Sequence, residues 1–298
     1  YSSVWGKSGR EYIPEMNMEI VGILMIIGIC GVAGALLYLL MVMPRMAGRP
    51  DTAAFGKWMY AHRGLHDNSS DAPENSLRAF RKAVEAGYGI ELDVQLTKDG
   101  VPVVFHDFTL KRVCGGEGKV CQYTFQELQQ HRLCGTDQRI PKLEEVLELV
   151  GGRVPLIVEL KAGSIDIRVC GEADRLLLGY KGMYCVESFN PLAMLWYRRH
   201  RRRIVRGQLS DGFLKEREYV GVLYFVLQNL LMNWLSKPDF IAYNCKYPQI
   251  LSRRLCRSLY RAAAVAWTVR SQEQLEEAGR NFDIFIFEGF RPDLPEHK

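Results

Sequence analysis

Four short stretches of this chain place ionisable side chains where an apolar, β-rich run stops. His62 and Arg63 follow Trp58-Met59-Tyr60-Ala61, and Glu91 and Asp93 alternate with apolar residues in Ile90-Glu91-Leu92-Asp93-Val94. His106 and Asp107 follow Val101-Pro102-Val103-Val104-Phe105, and Glu159 and Lys161 close Ile157-Val158-Glu159-Leu160-Lys161. Residues two apart on a strand point to one face, so Glu91 and Asp93 project together. Two carboxylates on a buried face are costly unless a cation lies between them. With Glu159 as a third oxygen donor, and no sulfur or imidazole in the set, the expected ligand is a hard divalent ion, Mg²⁺ or Ca²⁺. The alternative is that these acids only pair with Arg63 and Lys161. His62 and His106 titrate near neutral pH and are candidate proton carriers, although a lone histidine is more often structural or solvated.

The elements that must position these groups alternate in type. Strand patterns fall at 58–61, 89–95, 154–160, 184–188, 204–208, 240–243, 263–268 and 284–287, with helical stretches at 76–86, 143–150, 167–178, 191–200, 219–235, 250–260 and 271–280. Eight strands with intervening helices in about 240 residues suggest a parallel (β/α)8 barrel, whose reacting groups gather at the C-terminal strand ends. A doubly wound open sheet is the alternative, but no glycine-rich phosphate loop follows the first strand.

The motifs HRG (62–64), PENS (73–76), ELDVQLTKDG (91–100), VVFHD (103–107), IVELK (157–161) and WTV (267–269), in this order, resemble the glycerophosphodiester phosphodiesterase family from about residue 58 onward. The resemblance implies a TIM barrel and metal-dependent hydrolysis of glycerophosphodiesters to glycerol 3-phosphate and an alcohol. It implies that the metal, Arg63 and Lys161 hold the phosphodiester, and that one of His62 and His106 acts as base while the other protonates the leaving oxygen. Trp267 resembles the family's aromatic wall for the glycerol moiety. Glu74 and Asn75 match its acidic-amide pair, with helix capping as the other reading of Asn75. At the eighth strand the family's TD-x-P ending is replaced by Phe287-Glu288-Gly289-Phe290-Arg291-Pro292, which touches substrate choice more than activity. Lysophospholipids are an alternative substrate, and a non-catalytic phosphodiester-binding membrane protein is a third reading; the complete set of candidate residues speaks against the latter.

The remainder of the chain concerns placement. With 48% hydrophobic and 24% charged residues in 298, the chain can bury a large core. A net charge of +5 suits an anionic membrane or an anionic substrate, and no nucleic-acid partner is expected, since no aromatic-interleaved basic groove appears. Eight scattered cysteines lack CxxC pairs and read as free thiols, with Cys114 and Cys121 the best-placed exception. Residues 1–19 read as a polar tail. Residues 20–43 carry no charge, and about 24 residues of helix give about 36 Å, enough to cross a bilayer core of roughly 30 Å. A cleaved signal peptide would want a basic start, yet Glu11, Glu15 and Glu19 precede this segment, and a buried core helix would be shorter. Arg45, Arg49 and Lys57 downstream place the barrel, residues 58–298 beyond a linker at 44–57, on the cytoplasmic side of a single-pass anchor. The basic run from Arg198 to Arg203, with Arg206, reads as a solvated face at the N-terminal end of the barrel. Residues 219–235, uncharged and rich in aromatics, read as one helix that rests on the bilayer surface near the mouth.

Overall fold

A computed structural model describes residues 18–215 and 220–294. The polar tail expected at 1–19 lies outside them except for its last two residues. The chain divides into two compact units, 1–40 and 41–298. The described residues of the first belong to the helix Met18–Val42, whose last two residues belong to the second unit. Its 25 residues have a mean hydropathy of 2.7 over the most apolar 18, and by length and composition it can cross a membrane.

The second unit is a barrel. Strands β1 (Met59–His62), β2 (Gly89–Leu96), β3 (Pro102–Val104), β4 (Leu156–Leu160), β5 (Tyr184–Ser188), β6 (Arg206–Ser210), β7 (Phe240–Asn244), β8 (Ala263–Val269) and β9 (Ile284–Phe287) form one sheet. All pair in parallel except β3, and β1 pairs with both β2 and β9, so the sheet closes on eight strands. Closure rules out the open doubly wound alternative. Near-continuous burial along β2, β4, β5 and β6 is what a sheet covered on both faces requires. Helices such as Leu77–Glu85 and Leu143–Val150 lay apolar stripes over it, burying Phe80, Val84, Val146 and Val150.

Three local expectations are corrected. The run at 101–105 is a strand: β3 pairs antiparallel with β2, and the excursion it opens, ending at Ile140, has its own small core around Phe105, Leu110, Leu128 and Leu133. The fifth barrel strand starts at Arg206 rather than at 204. The segment 219–235 is not one helix, because Leu230 takes φ 55° and splits it into Val222–Gln228 and Asn233–Ser236. Tyr219 lies outside the described residues. Leu230, Leu231 and Asn233 are core, whereas Val222, Leu223 and Phe225 are at least half exposed.

Residues 42–49 lie along the N-terminal end of the barrel. The Val42 carbonyl accepts from Asn233 Nδ2 at 3.0 Å, Arg45 Nη1 lies 3.4 Å from Asp239 Oδ1, and Arg49 donates to the carbonyls of Tyr260 and Arg261. The basic run is only partly a solvated face: Arg201 pairs with Asp174 at 2.7 Å, and Arg206 is 2% exposed. All eight cysteines are free thiols, Cys114 and Cys121 included.

Candidate active site

Strand register brings the acids together. His62 stands beside Glu91 on β1 and β2, Asp93 beside Glu159 on β2 and β4, and Glu159 beside Glu187 on β4 and β5. Glu91, Asp93 and Glu159 are buried, and each offers an oxygen within 4.8 Å of the others'. Lys161 Nζ bridges Asp93 Oδ1 at 3.0 Å and Glu159 Oε1 at 2.9 Å. Arg63 Nε lies 3.5 Å from Asp93 Oδ2, and the Arg63 N–H donates to Glu91 Oε2 at 3.1 Å.

Charge tests whether these residues fit a divalent ion. Apart from the buried Glu74, which Arg112 balances, four buried carboxylates among the described residues, Glu91, Asp93, Glu159 and Glu187, share two cations, Arg63 and Lys161. Burial and the neighbouring acids push Glu91 and Glu187 well above the usual carboxylate range. Although burial opposes it, Lys161, His106 and Arg63 hold Asp93 well below that range. The mismatch of two charges is what one Mg²⁺ or Ca²⁺ would cancel, and an all-oxygen donor set suits either. The three carboxylates can therefore hold a divalent ion.

Each histidine leans on a carboxylate. His62 Nδ1 is 2.6 Å from Glu288 Oε2, and Glu288 Oε1 accepts from Arg270 Nη1 at 2.8 Å. His106 Nδ1 is 2.6 Å from Asp107 Oδ1, and Asp107 is gripped by Arg112 at 2.7 Å and 2.8 Å. An ionised carboxylate only accepts, so each ring donates Nδ1–H to its carboxylate, and Nε2 is the nitrogen left for the site. Burial, then the Arg63 charge, lower His62 to about 4. The ring is consequently neutral at pH 7.

A cavity of about 480 Å³ opens over these groups at the C-terminal strand ends. His62, His106, Glu91, Glu159, Lys161 and Trp267 line it. Trp267 meets Phe189 edge-to-face at 5.6 Å, and the two rings make an apolar part of the lining. Arg63, Asp93, Glu74 and Asn75 sit behind the lining. Glu74 accepts from Arg63 at 2.7 Å, from both Arg112 nitrogens at 2.7 Å and from Asn68 at 2.8 Å. Asn75 does not cap the following helix: its Nδ2 donates to Asp93 Oδ2 at 2.9 Å, and Ser76 Oγ caps by accepting from Ala79 N. Sequence reasoning missed Glu288, Arg112 and Glu187. Glu288 follows the last strand by one residue, the one signal that could have marked it.

A family model, the glycerophosphoryl diester phosphodiesterase family, matches residues 62–281. A glycerophosphodiester phosphodiesterase of Caldanaerobacter subterraneus is 44% identical over 115 residues, 35% of this chain and 45% of that protein. Glycerophosphodiester phosphodiesterase 1 of Mus musculus is 30% identical over 223 residues, 65% of this chain and 63% of that protein. The chain thus spans less than two thirds of either relative's length. Among solved structures, a Thermotoga maritima glycerophosphodiester phosphodiesterase superposes with TM-score 0.59 at 26% identity, covering 77% of this chain and 93% of that one. An Oleispira antarctica phosphodiesterase in complex with the product sn-glycerol-3-phosphate shares the fold, with TM-score 0.62 at 22% identity and coverages of 77% and 92%.

Proposed function

Because this chain belongs to the glycerophosphoryl diester phosphodiesterase family, we propose that it hydrolyses glycerophosphodiesters to glycerol 3-phosphate and the headgroup alcohol. The observation that carries this reading is the meeting, on one cavity, of three carboxylates with Lys161 and of two histidines each paired to a carboxylate. A divalent ion held by Glu91, Asp93 and Glu159 would supply a fixed positive charge for the phosphoryl oxygens.

This chain's own residues do the rest. Lys161 adds positive charge at the cavity wall, and Arg63, fixed by Glu74 and Asp93, adds its charge from behind. His62, neutral and with Nε2 free, takes the proton from the hydroxyl whose oxygen bonds to phosphorus: either water, which gives glycerol 3-phosphate directly, or the glycerol 2-hydroxyl, which gives a cyclic phosphate that water then opens to glycerol 3-phosphate. Glu288 holds the ring in that tautomer and stabilises the imidazolium that forms. His106, as the imidazolium whose Nδ1–H stays on Asp107, gives its Nε2 proton to the leaving oxygen as the phosphorus–oxygen bond to the alcohol breaks. Trp267 and Phe189 pack on the glycerol carbons. In this reading Glu74 and Asn75 position Arg63 and Asp93 rather than touching substrate.

The helix Met18–Val42 anchors the enzyme in a membrane, with the barrel on the cytoplasmic side. A second reading, lysophospholipid cleavage, is favoured by the exposed Val222, Leu223 and Phe225 on the helix whose Tyr224 and Leu227 line the cavity. Product analysis on glycerophosphocholine and lysophosphatidylcholine with Mg²⁺ or Ca²⁺ separates the two. Glycerol 3-phosphate plus choline from the first supports the proposal, cleavage of the second alone supports the alternative, and no cleavage of either overturns both.

A further inference from the structure

At the N-terminal end of the barrel, away from the mouth, lies a second cavity of about 650 Å³. Arg45, Arg198, Arg199, Arg202, Arg206 and Lys237 line it, with Met46 and Leu235 on its apolar side. Among the described residues the one carboxylate paired to this group is Asp239, already shared between Arg45 at 3.4 Å and Arg206 at 3.7 Å. Arg206 is buried; Nε and Nη2 donate to the carbonyls of Ser236 and Lys237, and Nη1 has no hydrogen-bond partner. Arg199 and Arg202 are exposed, and neither side chain has a hydrogen-bond or ion-pair partner among the described residues. Six cations around one acid is a field that calls for an anion, and guanidinium groups favour phosphate oxygens.

Two observations identify the source of that phosphate. The lining mixes cations with thioether and leucine carbons, which suits a headgroup attached to acyl chains better than a freely hydrated ion. In addition, Met43, Arg45, Met46 and Ala47, which contribute to the wall, come directly after the helix Met18–Val42 in sequence. At roughly 3.3–3.6 Å per residue the chain cannot carry the cavity far from the place where that segment ends. Clustered Lys and Arg just cytoplasmic of a span attract anionic lipid. We infer that this cavity holds the headgroup phosphate of an anionic phospholipid from the leaflet at which the span ends, an inference that rests on the membrane-spanning reading of Met18–Val42.

The test uses the full chain in neutral detergent micelles, titrated separately with dioleoylphosphatidylglycerol, dioleoylphosphatidylcholine and inorganic phosphate, with lipid retention read by native mass spectrometry. Phosphatidylglycerol should be retained at least about tenfold more strongly than phosphatidylcholine. Arg199→Gln with Arg202→Gln, at positions that hold no internal partner, should weaken retention about tenfold, and the paired Lys substitutions should largely restore it. Hydrolysis of glycerophosphocholine should be unchanged in every variant. Equal retention of the two lipids, or an unaffected Gln variant, overturns the inference. Displacement of the lipid by equimolar inorganic phosphate overturns the lipid as the source. Alkaline carbonate extraction of membranes reports separately on the span: recovery of the protein in the supernatant contradicts spanning, whatever the micelle titration shows.

Discussion

Glu288→Ala removes the group that sets the tautomer of His62 without touching the lining of the active-site cavity. The bond it deletes is 2.6 Å long and ends on a carboxylate held below its ordinary range; burial opposes this, while His62 and Arg270 produce it. A hydrogen bond to a charged group contributes about 1.5–3 kcal/mol. If that contribution is fully expressed when His62 becomes imidazolium, turnover should fall about 10- to 150-fold, at about 1.4 kcal/mol per decade. KM for a small diester should change little. Glu288→Gln, which keeps an acceptor for Nδ1–H but not the charge, should fall between. Glu288 also raises the His62 pKa against burial and Arg63, so its removal should move the acid limb of the kcat/KM profile further toward acid. Steady-state kinetics between about pH 3 and 9 read both effects. Turnover within about twofold of the parent, or a loss confined to KM, would refute the role assigned to Glu288.

Other expectations follow from the same geometry. His62→Ala and His106→Ala should each lower kcat far more than they raise KM, by about 10²–10⁴-fold for a lost proton carrier, and near-parental turnover in either variant would make that histidine structural. Arg112→Ala frees Glu74 from a bidentate grip and should raise KM through a misplaced Arg63, checked by saturation kinetics that show the larger change in KM. Because the folded-state pKa of His62 lies near 4, below its unfolded value of 6.5, the unfolded chain takes up that proton first. The contribution of His62 to stability should be full above about pH 6.5 and fade as pH falls toward 4, a trend that His62→Gln should flatten in denaturant titrations. Gly207→Ala would put a methyl 2.0 Å from the buried Phe240 ring and should cost about 1–3 kcal/mol, seen as a lowered Tm.

Much of the site was legible because its chemistry follows local periodicity. Glu91 and Asp93 are two apart on one strand, and Glu159 follows from the same apolar-to-acidic pattern, so strand register alone sets the three together. Glu288 was noticed only as a departure from a motif, because its partner is 226 residues away and depends on β9 closing against β1. Arg112 stands in an excursion with no long periodic element, so its reach to Glu74 depends on tertiary packing. The strand β3 is three residues long and begins with proline, which conceals it. The uncharged stretch 219–235 has helix-like composition, yet one left-handed residue at Leu230 redirects it, and no propensity rule marks a leucine for that role. Burial of Arg206 was masked by the run of arginines before it, since composition cannot say which member of a run starts a strand.

The central claim is that Glu91, Asp93 and Glu159 hold a divalent ion on which hydrolysis depends. The direct measurement is glycerol 3-phosphate release from glycerophosphocholine by the 298-residue chain with excess EDTA, then with Mg²⁺ or Ca²⁺ restored, alongside Glu91→Gln and Asp93→Asn variants shown to be folded by circular dichroism. The account predicts no release in chelator, recovery with the metal, and at most residual release from either variant. Undiminished release in chelator, or a folded Glu91→Gln enzyme with parental activity, would contradict it.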